Sequence, residues 1–126
     1  MVLIDSSVWI EYFKGAESAL PLNGLIDTNN ICVNDLILAE LIPSINHKKE
    51  KTLKQLLMTI TKIRININWN NIIYMQTQNL RHGINKVGIA DLIIAQNAIE
   101  NDLELFAIDK HFALMAELHG LKLYDL

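Results

Sequence analysis

Short unbroken apolar runs alternate along the chain with longer stretches of helical spacing. Val2, Leu3 and Ile4 form the first run, of the kind found in a strand buried on both faces. Asp5 ends it, and Ser6 or Ser7 is placed to cap a helix over Ser7 to Lys14 that Gly15 stops. A second helical piece over about residues 16–27 is interrupted by Pro21 and Gly24. Ile31, Cys32 and Val33 make the next strand. Asn34 or Asp35 caps a helix through LILAELI, and Pro43 is expected to end it.

A long helix follows from about Asn46 to Thr61, with Leu53, Leu56, Leu57 and Ile60 on one face. Ile63, Ile65 and Ile67 alternate with Arg64 and Asn66, the period of a half-exposed strand. Helix is predicted again from Asn68 to about His82 and, after a loop bracketed by Gly83 and Gly88, from Asp91 to Asn101. Strand over Leu105–Ile108, helix over Lys110–His119 and strand over Leu121–Tyr124 complete the chain. Such alternation implies an α/β fold: a mainly parallel sheet of about five strands with helices on both faces, three layers α/β/α, in one domain spanning residues 1–126.

Composition narrows the class. Of the 126 residues, 51% are hydrophobic and 20% charged, which excludes a disordered chain. No apolar run approaches the ~20 residues of a membrane span, and no signal peptide opens the sequence, so a cytoplasmic location is expected. Cys32 is the single cysteine and reads as a small buried apolar residue. The net charge of −3 argues against coating nucleic acid by bulk charge. That argument weakens if four of the 14 acids share one metal site, because ten then stand against 11 basic residues.

Four acids are candidates for such a site. Asp5 and Asp109 directly follow apolar strands, while Glu40 and Asp91 lie near the starts of helices. In a parallel sheet all four fall on its carboxyl-end side, where open α/β sheets bind ligands. Each has a structural reading as well. Asp5 also suits a cap, Asp91 a first-turn acid favoured by the helix dipole, and Asp109 a turn. Glu40 is the hardest to explain that way, because its neighbours and turn-mates are apolar. Four carboxylates in one crevice repel each other and could be held together by shared protons, by lysine or arginine, or by a divalent metal; the only basic residues adjacent to these acids are Lys86 and Lys110. Oxygen ligands suit Mg²⁺ or Mn²⁺. Ser7 is a supporting candidate that could orient Asp5, and His111 could assist chemistry or only begin a helix. The basic run from Lys48 to Lys54 reads as a solvated helix face or a phosphate contact. Trp9, Tyr12 and Phe13 exceed what one helix face buries, so part of the set is expected to form a groove for a partner.

The segments VLIDSSVWIEYF, LAEL, ADLIIAQNA and LFAIDKHF, in this order and spacing, resemble PIN-domain proteins, and specifically VapC-type toxin ribonucleases. The resemblance implies Mg²⁺- or Mn²⁺-dependent cleavage of RNA by a metal-activated water, with Asp5, Glu40, Asp91 and Asp109 as metal ligands. It also implies a cognate antitoxin protein that occludes the acids and supplies any contact with DNA, a homodimer, and no membrane partner. One position departs from the pattern. Ala107 stands where many members have threonine or serine two residues before the fourth acid. Other readings remain open at this point: a structure-specific DNA nuclease, a catalytically inactive binding module of the same fold, or a signalling receiver domain, for which Asp109–Lys110 is a poor imitation.

Overall fold

The fold is that of a computed structural model, which describes residues 1–124. Five strands form one sheet: β1 (Val2–Ile4), β2 (Ile31–Val33), β3 (Thr61–Lys62), β4 (Glu104–Phe106) and β5 (Lys122–Leu123). Their order is β3-β2-β1-β4-β5, and every pairing is parallel. Seven α-helices lie among the described residues: α1 (Ser6–Phe13), α2 (Pro21–Asp27), α3 (Asp35–His47), α4 (Lys51–Thr59), α5 (Trp69–Arg81), α6 (Ile89–Glu100) and α7 (Lys110–His119). They cover the sheet on both faces in the expected three-layer arrangement.

The chain builds outward from β1 through β2 to β3, then crosses to the other side of β1 to form β4 and β5. The crevice at the carboxyl ends of β1 and β4 is therefore the switch point of the sheet. This order also disposes of the receiver reading, whose 2-1-3-4-5 sheet sets β1 beside β3; here β1 pairs with β2 and β4. β1 is wholly buried, as its apolar run required, and its ladder with β4 ends where the Asp5 amide donates to the Phe106 carbonyl at 2.9 Å. α6 is the most enclosed helix, with every residue from Leu92 to Ala98 buried.

Several expected boundaries shift. Pro43 lies inside α3 without ending it. Its ring is exposed, so the helix loses one backbone donor there without a clash against the core. The helix stops at His47 instead, where residues 48–50 turn back with Lys49 at φ +57° and the Glu50 amide donates to the Ile45 carbonyl. The expected long helix from Asn46 is thus the end of α3, that turn, and α4. Pro21 begins α2 rather than interrupting it, since the first helical position needs no N–H partner.

The isoleucine alternation over 63–67 is not a strand. The ladder ends at Lys62, with one last bond from the Ile63 amide to the Val33 carbonyl at 2.7 Å, and side chains of α6 then hold Arg64 and Asn68. Asn97 Nδ2 donates to the Arg64 carbonyl at 3.0 Å, and Gln96 exchanges two bonds with the backbone of Asn68, at 3.1 and 3.0 Å. Side-chain amides thus replace the ladder.

Trp9 is fully buried, edge-on to Tyr12 with ring centroids 6.0 Å apart and tilted against Phe13 at 5.8 Å. It belongs to the core and not to a groove, whereas Tyr12 and Phe13 are only partly covered. Cys32 is buried as expected, and burial pushes its thiol up to about 11, which leaves it inert near neutrality. No helix among the described residues is long and apolar enough to cross a membrane.

Candidate metal centre

Asp5 is placed by the end of β1 and by its own duty as a cap. Neither Ser6 nor Ser7 caps α1. Asp5 does so, its Oδ2 accepting from the Ser7 amide at 3.1 Å and from the Ser7 hydroxyl at 2.6 Å. The same Ser7 Oγ accepts the Ile108 amide at 3.1 Å. Ser7 therefore links the residue after β1 to the segment after β4 and holds the Asp5 carboxylate in one orientation. Ile108 precedes Asp109, so the contact also steadies that acid's backbone where Ala107 offers no hydroxyl.

Asp109 caps α7, accepting the His111 amide at 2.9 Å. Asp91 is not the cap of its helix. α6 begins two residues earlier, Gly88 is its cap, and Asp91 lies on the first turn, where the positive end of the helix favours a carboxylate. Glu40 projects from the second turn of α3, a helix capped by Asn34, whose Oδ1 accepts the Ile37 amide at 2.9 Å. Its apolar neighbours do not bury Glu40. It stands exposed at the rim of the crevice, with the Ser6 hydroxyl donating to it at 3.4 Å.

The structure brings all four acids into one electrostatic unit. Burial raises the Asp5 carboxyl above the ordinary range, against the lowering effect of the Ser7 and Ser6 hydrogen bonds, and Asp109 adds to the rise. Partial burial, then the charge of Asp5 and, after the opposing Ser6 bond, that of Asp91, raise Glu40. Partial burial, then Asp109 and Asp5, raise Asp91, with His111 acting in the opposite direction. Among the described residues no lysine or arginine forms an ion pair with any of the four; the nearest basic side chain is His111, whose Nδ1 lies 3.2 Å from Asp109 and 3.6 Å from Asp91.

Such a set calls for positive charge, and the donors suit a divalent ion. One carboxylate oxygen each from Asp91 and Asp109 and a ring nitrogen of His111 all lie within 4.8 Å of one another. Asp5 and Glu40 bound the same crevice more loosely. Two residues that sequence reasoning left with a choice of roles are placed by the structure. Ser6, a possible cap, donates instead to Glu40 at the rim. His111, which could assist chemistry or only begin a helix, does begin α7 and also turns its ring toward Asp91 and Asp109.

Residues 2–118 match the PIN domain family model, and the chain belongs to that family. No curated protein matches the sequence. Solved structures resemble the fold over nearly its whole length. VapBC2 from Rickettsia felis, bound to a DNA fragment from its promoter, is 17% identical over 98% of each chain, with a TM-score of 0.72. FitAcB from Neisseria gonorrhoeae is 19% identical over 99% of this chain and 97% of that one, also at 0.72. A toxin–antitoxin complex from Klebsiella pneumoniae is 21% identical over the full length of both, at 0.66.

The crowded acids set a pH dependence. An acid whose pKa is higher in the folded than in the unfolded chain keeps its proton to higher pH when folded and releases it on unfolding. Folding stability therefore falls as pH rises from the ordinary carboxylate range, about 4, to the raised values, and is level above them. Asp91→Asn removes one repelling charge. In EDTA it is expected to melt at a higher temperature than the parent at pH 7, with the difference shrinking as pH falls toward about 4. Melting curves across that range check this; a variant no more stable at pH 7 than the parent would contradict the electrostatic reading.

Proposed function

We propose that the protein is a divalent-metal-dependent endoribonuclease and the toxin of a toxin–antitoxin pair. The observation that carries the reading is the convergence of Asp5, Glu40, Asp91 and Asp109 at the switch point of a PIN-family sheet, three of them held above their ordinary pKa with no lysine or arginine paired to them. In this reading the four acids hold the ion or ions, of which Mg²⁺ and Mn²⁺ fit the carboxylates. The bound ion offsets charge on the scissile phosphate and acidifies a water as nucleophile. Ser7 fixes Asp5, Ser6 steadies Glu40, and the cap of α7 fixes Asp109. The crevice is open at Glu40, which suits a long, exposed phosphodiester better than a small enclosed substrate.

Similarity to VapBC2 and to the Klebsiella toxin–antitoxin complex supports a protein partner. A cavity of about 270 Å³ lies between α1 and α3, lined by Ile10, Phe13, Leu41 and Ile45 and bounded by Glu40. It fits an antitoxin segment that buries an apolar side chain there and sets an arginine or lysine against the acids. A different surface suits a second copy. Trp69, Ile73 and Leu80 are exposed along one face of α5, and no charged residue occurs in that helix before Arg81, so two copies could meet across a two-fold axis without like-charge repulsion.

Three experiments test these assignments. Purified protein with total bacterial RNA in Mg²⁺ or Mn²⁺ should yield discrete fragments bearing 5′-phosphate and 3′-hydroxyl ends. EDTA should abolish them, and Asp91→Asn should lower the rate by about 100-fold or more. Fragments ending in 2′,3′-cyclic phosphate would overturn attack by water. Cleavage of DNA but not RNA would favour the DNA-nuclease alternative, and no metal binding with no cleavage would favour an inactive binding module. Ile10→Asp should reduce co-purification of the antitoxin while leaving RNA cleavage intact; unchanged co-purification would rule out the cavity as its seat. Ile73→Glu should convert a dimer to a monomer in sedimentation, and a variant that stays dimeric would move the interface elsewhere.

A further inference from the structure

A nitrogen stands between two of the acids. His111 Nδ1 lies 3.2 Å from Asp109 Oδ1 and 3.6 Å from Asp91 Oδ2. That atom is buried, although the ring as a whole is partly exposed, and it approaches both carboxylates without meeting hydrogen-bond geometry to either. One nitrogen and two carboxylate oxygens, all within 4.8 Å of one another, make a mixed donor set of the kind a divalent ion takes. The residue is held there from two sides. Its own amide is tied to the Asp109 carboxylate, and α7 is anchored behind it by Phe112 and Met115, both buried. Rotation of the helix away from the acids would expose those side chains.

We propose that His111 Nδ1 is a direct ligand of the divalent ion held by Asp91 and Asp109, and that this mixed nitrogen–oxygen set makes the site prefer Mn²⁺ to Mg²⁺. The inference rests on the metal-dependent reading above. Donors bonded at about 2.1 Å and at right angles to each other stand about 3 Å apart, close to the two separations here. Mg²⁺ takes oxygen ligands and keeps its waters, whereas affinity for nitrogen donors rises from Mn²⁺ along the first transition series. An oxygen-only site has no such ground for discrimination. The other account of His111 is a protonated ring that serves as counter-charge to an acidic pair, with no bond to metal.

Electron paramagnetic resonance separates the two, with Mn²⁺ itself as the probe. The full-length protein is titrated with Mn²⁺, alone and against Mg²⁺, beside His111→Gln and Asp91→Asn, with circular dichroism confirming that each variant is folded. The parent is expected to bind Mn²⁺ at least about tenfold more tightly than Mg²⁺, and its bound Mn²⁺ to show ¹⁴N coupling from an imidazole. His111→Gln should lose that coupling and about tenfold or more in Mn²⁺ affinity, while Mg²⁺ affinity changes by less than about threefold. Bound Mn²⁺ without imidazole coupling, or equal losses for both ions, would overturn the ligand assignment while leaving the metal-dependent reading intact. A parent protein that binds neither ion would overturn both.

Discussion

The mutual repulsion of four carboxylates at the end of a buried strand is the constraint around which this molecule is arranged. Asp5 is the most buried of the four. It stands at the carboxyl end of the central strand, and it caps α1. A lone ionised acid in such a place is costly. Here three devices reduce the cost: two hydrogen bonds from Ser7, the positive end of α1, and the open side of the crevice at Glu40. None of them removes the cost, and the raised carboxyls record burial first and the repulsion of neighbouring acids after it.

Holding the acids together takes a scaffold that cannot relax outward, and buried amides supply part of it. Asn34 caps the helix that carries Glu40, and its Nδ2 donates at 2.9 Å to Asn97, on the helix that carries Asp91. Both asparagines are buried. One polar contact thus ties together two of the elements that bear the proposed ligands, while the neighbouring Gln96 and the Nδ2 of Asn97 hold the backbone that leads into α5. Satisfied networks of this kind fix a single arrangement more tightly than apolar packing does. A site that repels itself needs that rigidity.

The same logic explains the contrast between the two apolar surfaces. The cavity between α1 and α3 opens beside Glu40, so in the proposed function a segment filling it would lie next to that acid. The uncharged face of α5 has no such neighbour, and it is the surface proposed for a second copy. Trp9, which by its composition belonged with the first surface, is consumed by the core, and the groove is left to Ile10 and Phe13.

Much of this was written in local sequence. Val2–Ile4 ended by Asp5, the alternation of strands with helices, and the order of the four acids settled a parallel three-layer sheet and the edge at which those acids meet, because burial on both faces and strand direction are set by short-range pattern. What local pattern could not settle was everything decided by a distant partner. The isoleucines at 63, 65 and 67 have the period of a strand, yet Asn97 and Gln96 replace the ladder. Pro43 reads as a stop, yet its ring faces solvent and the helix continues. Trp9 had no visible destination, since a helix seen alone does not show how deep its pocket is. His111 gained its meaning only when the cap of α7 and the first turn of α6 were set side by side. Periodicity reports which face of an element is buried; the atoms that bury it, and the charges it meets there, belong to the tertiary structure.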